Sequence, residues 1–456
     1  MISEKIKKIM RYLNIFLLVL IMGVFSTSLM GCSAKKESVN EDDGETINFT
    51  VDMDYSFNSV NGGYTVDVTY KDGLFKNSAK KFNKQLALFA FGNAISNATD
   101  KTIAEFYKNA EFTDDVYLST QYYETPTEDS VAYSFAAKNT SEFKIVSVSV
   151  RGFNYKMEWV GNFNTGSTGN HENYSLKAEE IYSELKDYLS SFNGEKTKLL
   201  MTGYSRGGGI INALSELVLA DETFPINSDD VFVYTFEAPR AIEKNNVKKY
   251  KNVFNIVNSA DIVTHLLPEN FGFYRHGVDV EIFSDKVDEL LSDLNENIVL
   301  PKFISNNENF KNQTDFPVYL FNTLTNYDAD ANYTLKSRED YAAHYQDAIK
   351  YFIKTANSLN SSSRSEIMGA FLENNLNFYM VLAAKDGLYE FLLPFLEKDG
   401  IAFDSEELRE NCNTISNFIK HPALPLLLQI PLYKNDFVRC IYMHSPETIY
   451  VLLKNM

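Results

Sequence analysis

Two apolar periods alternate along the first two thirds of the chain. Residues 47–57 and 64–70 alternate apolar and polar positions around Asn61-Gly62-Gly63, which predicts a β-hairpin. Residues 78–95 and 101–110 follow a helical period, and 131–137 and 143–150 read as strands. Tyr174, Ala178, Ile181, Leu185, Leu189 and Phe192 recur at helical spacing, and Gly194 ends that helix. The apolar stretch from Leu199, the helix-like segment from Ile210 and the strands at 231–236 and 253–257 follow. Strands alternating with helices predict a mostly parallel sheet covered on both faces.

The pattern changes after about residue 284. Segments 285–296, 338–359, 365–376 and 405–419 are helical in period, 381–396 is strongly apolar, and the loops are rich in Asn and Ser. These features predict a core over 47–283 and a helical cap inserted at 284–430. Residues 431–456 then return as a last strand (437–442) and a last helix that complete the core.

The N-terminus is expected to stand apart from the fold. Lys5, Lys7, Lys8 and Arg11 precede an apolar run at 12–22, and Leu29-Met30-Gly31-Cys32 follows. This is the layout of a secretory signal peptide over 1–31. Its end resembles the bacterial lipobox, in which the cysteine, here Cys32, is lipidated. An uncleaved membrane anchor is the alternative, but the apolar run is short against the roughly 20 residues of a span. Residues 32–46 are polar and predict a flexible tether. The expected location is the extracytoplasmic face of a bacterial membrane, held there by lipid.

The formal charge of the full chain is −18, and losing four basic residues and one acid with residues 1–31 takes it to −21. Such acidity argues against a nucleic-acid partner, which needs clustered Lys and Arg, and against attraction to anionic headgroups. With 34 Phe and 28 Tyr the chain has ample material for a large core. Cys412 and Cys440 remain after Cys32, and in an oxidising compartment they are expected to be able to pair. No motif has metal-ligand spacing, so neither a metal nor another cofactor is expected.

The chemistry concentrates at Gly203-Tyr204-Ser205-Arg206-Gly207, between an apolar strand and a helix. This is the G-x-S-x-G nucleophile elbow in its strand–turn–helix setting, which predicts an α/β-hydrolase fold with Ser205 as nucleophile. The turn is tight and strained, so small residues must flank the serine. A serine hydroxyl needs an imidazole to take its proton and a carboxylate to orient that imidazole. The chain order in this fold is Ser, acid, His. Asp261 follows the strand at 253–257, where site residues collect.

Several segments in order resemble the class 3 lipases, the triacylglycerol-lipase type of α/β-hydrolase. They are Val150-Arg151-Gly152-Phe153, Glu158-Trp159, His171-Glu172-Asn173-Tyr174, Thr202-Gly203-Tyr204-Ser205-Arg206-Gly207-Gly208, Thr235-Phe236-Glu237-Ala238-Pro239-Arg240 and Asn258-Ser259-Ala260-Asp261-Ile262-Val263. The resemblance spans about residues 74–283 and the C-terminus. It implies Asp261 as the triad acid and an oxyanion hole from the backbone N–H groups of Phe153 and Arg206. The departures are Tyr204 in place of a His, Glu237 in place of a Gly, and Phe153 in place of a Thr or Ser. The last removes a side-chain donor that can be worth about 10²–10³ in rate. Arg151 reads as a loop brace, the Arg206 side chain as structural, and Trp159 as core.

Six histidines compete for the role of base. His171 and His276 match structural positions of the resemblance, His265 lies too close to Asp261 in sequence, and His421 has no support. His444 is preferred, because it sits at a loop before Ser445-Pro446-Glu447, a good helix start. His344 is the alternative base, within a helical pattern beside Asp340 and Asp347. The expected activity is hydrolysis of carboxylic, acyl-lipid esters. The competing readings are a catalytically weak or inactive hydrolase-fold lipoprotein used as a binding or scaffold module, and a solute-binding lipoprotein.

Overall fold

A computed structural model describes residues 37–41, 44–52, 65–152, 157–192, 194–304, 310–326, 335, 337–373, 376–420 and 433–456. Cys32, Phe153, His421 and Asn61-Gly62-Gly63 lie outside the described residues. The chain divides into two units.

The first unit comprises Thr27–Tyr155, Asn170–Leu300 and Ile441–Met456. Its strands are β1 (Glu37–Glu41), β2 (Gly44–Asp52), β3 (Thr65–Lys71), β4 (Asp114–Leu118), β5 (Tyr133–Asn139), β6 (Lys144–Val150), β7 (Thr197–Tyr204), β8 (Val231–Phe236), β9 (Ile242–Glu243), β10 (Val253–Val257), β11 (Phe273–Tyr274) and β12 (Val278–Glu281). Seven of them form the central sheet in the order β12-β10-β8-β7-β6-β5-β4. Pairing is parallel from β12 to β6 and antiparallel for β6/β5 and β5/β4. This is the α/β-hydrolase architecture.

Every residue of β6, β8 and β10 is buried, as strands covered on both faces require. One face of the sheet is covered by the helices Glu172–Ser190 and Arg206–Ala220, through Ile181, Leu185, Ile210 and Leu214. The helix Lys84–Ser96 covers the other face, and the terminal helix Pro446–Asn455 joins the same core through Ile449 and Leu453. Phe89, Phe106 and Phe112 in that layer also meet Tyr70 or Phe49 of the β2–β3 hairpin. Each fully buried aromatic contributes about 1.5–3 kcal/mol.

The helical pattern from residue 78 begins late in the structure. Asn83 is extended and accepts the Leu86 N–H at 3.1 Å, so it caps the helix, and residues 78–82 remain turn and loop. The tether expectation is corrected in part: β1 pairs antiparallel with β2 over Glu37–Glu41. A short polar strand at a sheet edge satisfies its backbone without needing an apolar face.

The second unit includes Lys156–Gly169 and Pro301–Cys440 and is helical. The expected cap limits of 284–430 shift at both ends. The helix Val287–Leu294 belongs to the first unit, where Val287 and Leu291 are buried. Residues 156–169 belong to the helical unit, held by hydrogen bonds that hydropathy does not reveal. The Arg338 guanidinium donates to the carbonyls of Gly166 (2.7 Å), Gly169 (2.5 Å), Thr168 (3.0 Å) and Thr165. Gln346 accepts the Thr165 N–H at 3.0 Å and donates to Asn164 at 3.1 Å. The single helix expected over 338–359 is two, Arg338–His344 and Gln346–Ser358, broken at Tyr345 with φ −130°.

The largest correction concerns the C-terminus. The expected last strand at 437–442 is part of a helix, Lys434–Tyr442. The apolar run Phe437, Cys440, Ile441 falls at i, i+3, i+4, and all three are buried on one helical face. Two polar positions of the same helix are also used. Asp436 accepts the Ile304 N–H at 2.6 Å, and Arg439 donates to Pro301 O and Gln313 Oε1. The sheet therefore ends at β12 among the described residues, and the first unit ends with a turn and the helix Pro446–Asn455.

Candidate active site

The elbow at the end of β7 follows from local sterics. Ser205 takes φ 52° and ψ −126°, a conformation that costs a non-glycine residue about 1–3 kcal/mol. Its N–H donates to Phe236 O at 2.7 Å, and its carbonyl accepts the Gly209 N–H at 3.1 Å, so the turn is tied to β8 and to the next helix. A Cβ on Gly203 would lie 2.5 Å from the Gly207 carbonyl carbon, and one on Gly207 would lie 2.2 Å from Val150 O. Only glycine lets the strand, the turn and β6 approach this closely. Helix Arg206–Ala220 starts immediately after the serine, and its first backbone donors have no acceptor within the helix.

His444 Nε2 lies 2.9 Å from Ser205 Oγ, and His444 Nδ1 lies 2.6 Å from Asp261 Oδ2. All three side chains are buried, Asp261 completely. Asp261 Oδ1 accepts the Val263 N–H at 2.7 Å, which fixes the carboxylate plane. The three residues thus form one hydrogen-bonded chain from hydroxyl to imidazole to carboxylate. His444 occupies a turn between the helices Lys434–Tyr442 and Pro446–Asn455, where its N–H donates to Ile441 O at 2.9 Å. Pro446 takes the first helical position as the sequence implies, but the Ser445 hydroxyl pairs with Thr448 Oγ1 at 2.9 Å and caps no N–H.

Two side chains with no assigned role hold that turn. Tyr204 donates its phenol O–H to the His444 carbonyl, with its ring 5.3 Å from the imidazole. Asn258 Nδ2 donates to Met443 O at 3.1 Å, and its backbone N–H donates to Glu237 Oε1 at 2.9 Å. Tyr204 was legible only as a departure from the family pattern, and nothing local to it points to His444. Glu237 is fully buried at φ 50°. Burial first, and then the neighbouring Asp261 charge, pushes its carboxyl well above the usual carboxylate range.

The other histidines are placed elsewhere. His344 is exposed at the end of its helix in the helical unit. His171 caps the helix Glu172–Ser190 through Nδ1, which accepts the Tyr174 N–H at 3.3 Å. His265 Nε2 meets Ser259 O at 3.1 Å, and burial with the nearby Arg240 charge lowers its pKa to about 4. His276 Nδ1 accepts the Lys248 N–H, and its Nε2 faces Glu216 at 3.1 Å. Burial lowers His276 in spite of that carboxylate.

The Arg206 side chain is buried and braces Ser130 O and Asn173 Oδ1. Arg151 donates to Tyr122 O at 2.8 Å. Trp159, half-buried, stacks on Phe163 at 6.1 Å. Cys412 and Cys440 are free thiols, which corrects the expected pairing. Each lies on the buried face of its own helix, and burial pushes the Cys412 thiol up to about 12. Glu237, Asp261 and His444 offer ligand atoms within 4.8 Å of one another. A cation bound by all three would compete with the proton shared between His444 Nδ1 and Asp261.

The elbow, the parallel sheet and the Ser–His–Asp chain define an α/β-hydrolase. Residues 139–271 match the family of lipases of class 3, and the chain is a lipase-type carboxylic ester hydrolase. No curated protein matches. Among solved structures, a triacylglycerol lipase described as having a serine-protease triad is 16% identical, with 46% of this chain and 84% of that one covered at a TM-score of 0.36. The Rhizomucor miehei lipase in its propeptide complex is 17% identical, with 46% and 71% covered at 0.33. Lipase II from Rhizopus niveus is 17% identical, with 44% and 81% covered at 0.34.

Proposed function

We propose that this chain cleaves acyl-lipid esters at the extracytoplasmic face of a bacterial membrane, through Ser205, His444 and Asp261. The supporting observation is the continuous hydrogen-bonded chain, 2.9 Å from Ser205 Oγ to His444 Nε2 and 2.6 Å from Nδ1 to Asp261. In this reading Ser205 Oγ attacks the ester carbonyl while its proton passes to His444 Nε2. The carbonyl oxygen becomes an oxyanion that accepts from the Arg206 backbone N–H, and from that of Phe153, which lies outside the described residues. His444 then gives the proton to the departing alcohol. Water attacks the resulting acyl-serine, again losing its proton to His444, and the fatty acid leaves as Ser205 is restored. Asp261 holds the tautomer that keeps Nε2 free to accept, and stabilises the imidazolium.

The anchor in this proposal is acylated Cys32, motivated by Leu29-Met30-Gly31-Cys32 after the apolar run. An intact-mass measurement of the processed N-terminus should find a diacylated Cys32, and an unmodified or differently cleaved terminus removes the anchor. The hydrolase is tested by turnover of short- and long-chain acyl esters. Ser205→Ala should lose all measurable hydrolysis while keeping its thermal unfolding midpoint. Retained turnover in that variant contradicts the mechanism.

A further inference from the structure

Glu237 is a buried carboxyl that the proposed chemistry does not use. It follows β8 directly, where a φ of 50° would suit glycine better than any side chain. Its Oε1 accepts the Asn258 N–H at 2.9 Å, whereas its buried Oε2 receives no donor among the described residues. An oxygen of Glu237, an oxygen of Asp261 and a ring nitrogen of His444 all lie within 4.8 Å of one another. Two ionised carboxylates this close and this buried repel strongly, so one of them holds a proton. Asp261 already accepts from His444 Nδ1 and from the Val263 N–H, contacts that stabilise its charged form.

Among the described residues, the Glu237 carboxyl accepts one N–H, that of Asn258. The cation acting on it, Arg275, directs its guanidinium to Ala238 O, Thr264 O and Asp279. We propose that Glu237 is a positioning residue that stays protonated at neutral pH and donates its carboxyl O–H to Asp261, so that the buried acid pair carries one negative charge. The proton on Oε2 supplies the missing hydrogen bond. The Asp261 carboxylate is then held from three sides, by Val263, His444 and Glu237, and is kept as the acceptor for the imidazole.

The effect on turnover rests on reading Ser205, His444 and Asp261 as a triad, but the protonation does not, so the two fail separately. The folded chain holds a proton on Glu237 that the unfolded chain releases above the ordinary carboxylate range of about 4.3. Stability therefore declines as pH rises from that range toward the raised folded value, and Glu237→Gln, which cannot release a proton, lacks this decline. The unfolding midpoint of E237Q minus that of the wild type should grow steadily between roughly pH 5 and pH 8. An infrared difference spectrum at neutral pH should show a protonated-carboxyl C=O band in the wild type and none in E237Q.

E237Q keeps a neutral donor. It should retain kcat within about threefold and leave the acid limb of the pH–rate profile in place, whereas Glu237→Gly should lose about tenfold or more in kcat with little change in KM. A flat midpoint difference, a missing carboxyl band, or an acid limb displaced by about one pH unit in E237Q would mean that Glu237 is ionised, and would overturn the proposal. If E237Q does not fold, E237G, relieved of the positive φ, gives the same infrared and midpoint readouts.

Discussion

The serine turn and the histidine turn of the site are built by different means. The Ser205 turn is specified locally. Gly203 and Gly207 leave no room for a Cβ, and strand and helix flank the serine directly. The His444 turn is specified from a distance. It lies between two helices, and its backbone is held by Tyr204 and Asn258, 240 and 185 positions away from the residues they bind. The serine turn is written in adjacent residues and leans only on the neighbouring strands β6 and β8, through Val150 O and Phe236 O. The histidine turn exists only when the whole first unit has closed, which couples the proposed base to the integrity of the fold.

The comparison breaks most sharply at the histidine itself. His444→Ala should lower kcat by about 10⁴–10⁶, while His344→Ala, at an exposed helix end, should stay within about twofold. Ester turnover by the two variants decides between the two bases, and equal losses would remove the distinction. Next is the local turn. Gly207→Ala puts a Cβ against Val150 O and should cost more than about 4 kcal/mol or yield no folded protein, read by denaturant unfolding.

Loosening the remote turn is milder and of another kind. Tyr204→Phe removes one hydrogen bond to the His444 carbonyl. It should cost about 1 kcal/mol of stability and about 10–100-fold in kcat, because the imidazole is less well placed while Ser205 is untouched. If Tyr204→Phe lost stability but kept kcat, the remote support would be structural only. The smallest effect is expected in the helical unit. Cys412 and Cys440 are free, so a reducing agent should leave the unfolding midpoint unchanged, whereas a disulfide would be worth about 2–4 kcal/mol.

The same division explains what was legible in the sequence. Strands β8 and β10 are buried on both faces, so their largely apolar runs are plain in the sequence, and the glycines around Ser205 are a local signal. The segment 437–442 was misread because a short apolar run fits both periods, and only its packing settles it as a helix. The cap limits moved because Arg338 and Gln346 recruit residues 164–169 through hydrogen bonds to polar and backbone atoms. Tyr204 stands out in the sequence only as a departure from the family pattern, and its contact with His444 is purely tertiary. The protonated state inferred for Glu237 likewise depends on Asp261, a neighbour 24 positions on, and on burial that no local pattern records.

The most direct test of the account is the site of covalent modification by a fluorophosphonate, which reacts only with a serine whose proton is removed by an adjacent base. Peptide mass mapping after labelling should place the adduct on Ser205 in the wild type and in His344→Ala, and should find none in Ser205→Ala or His444→Ala. An adduct on another serine, or undiminished labelling of Ser205 without His444, would contradict it.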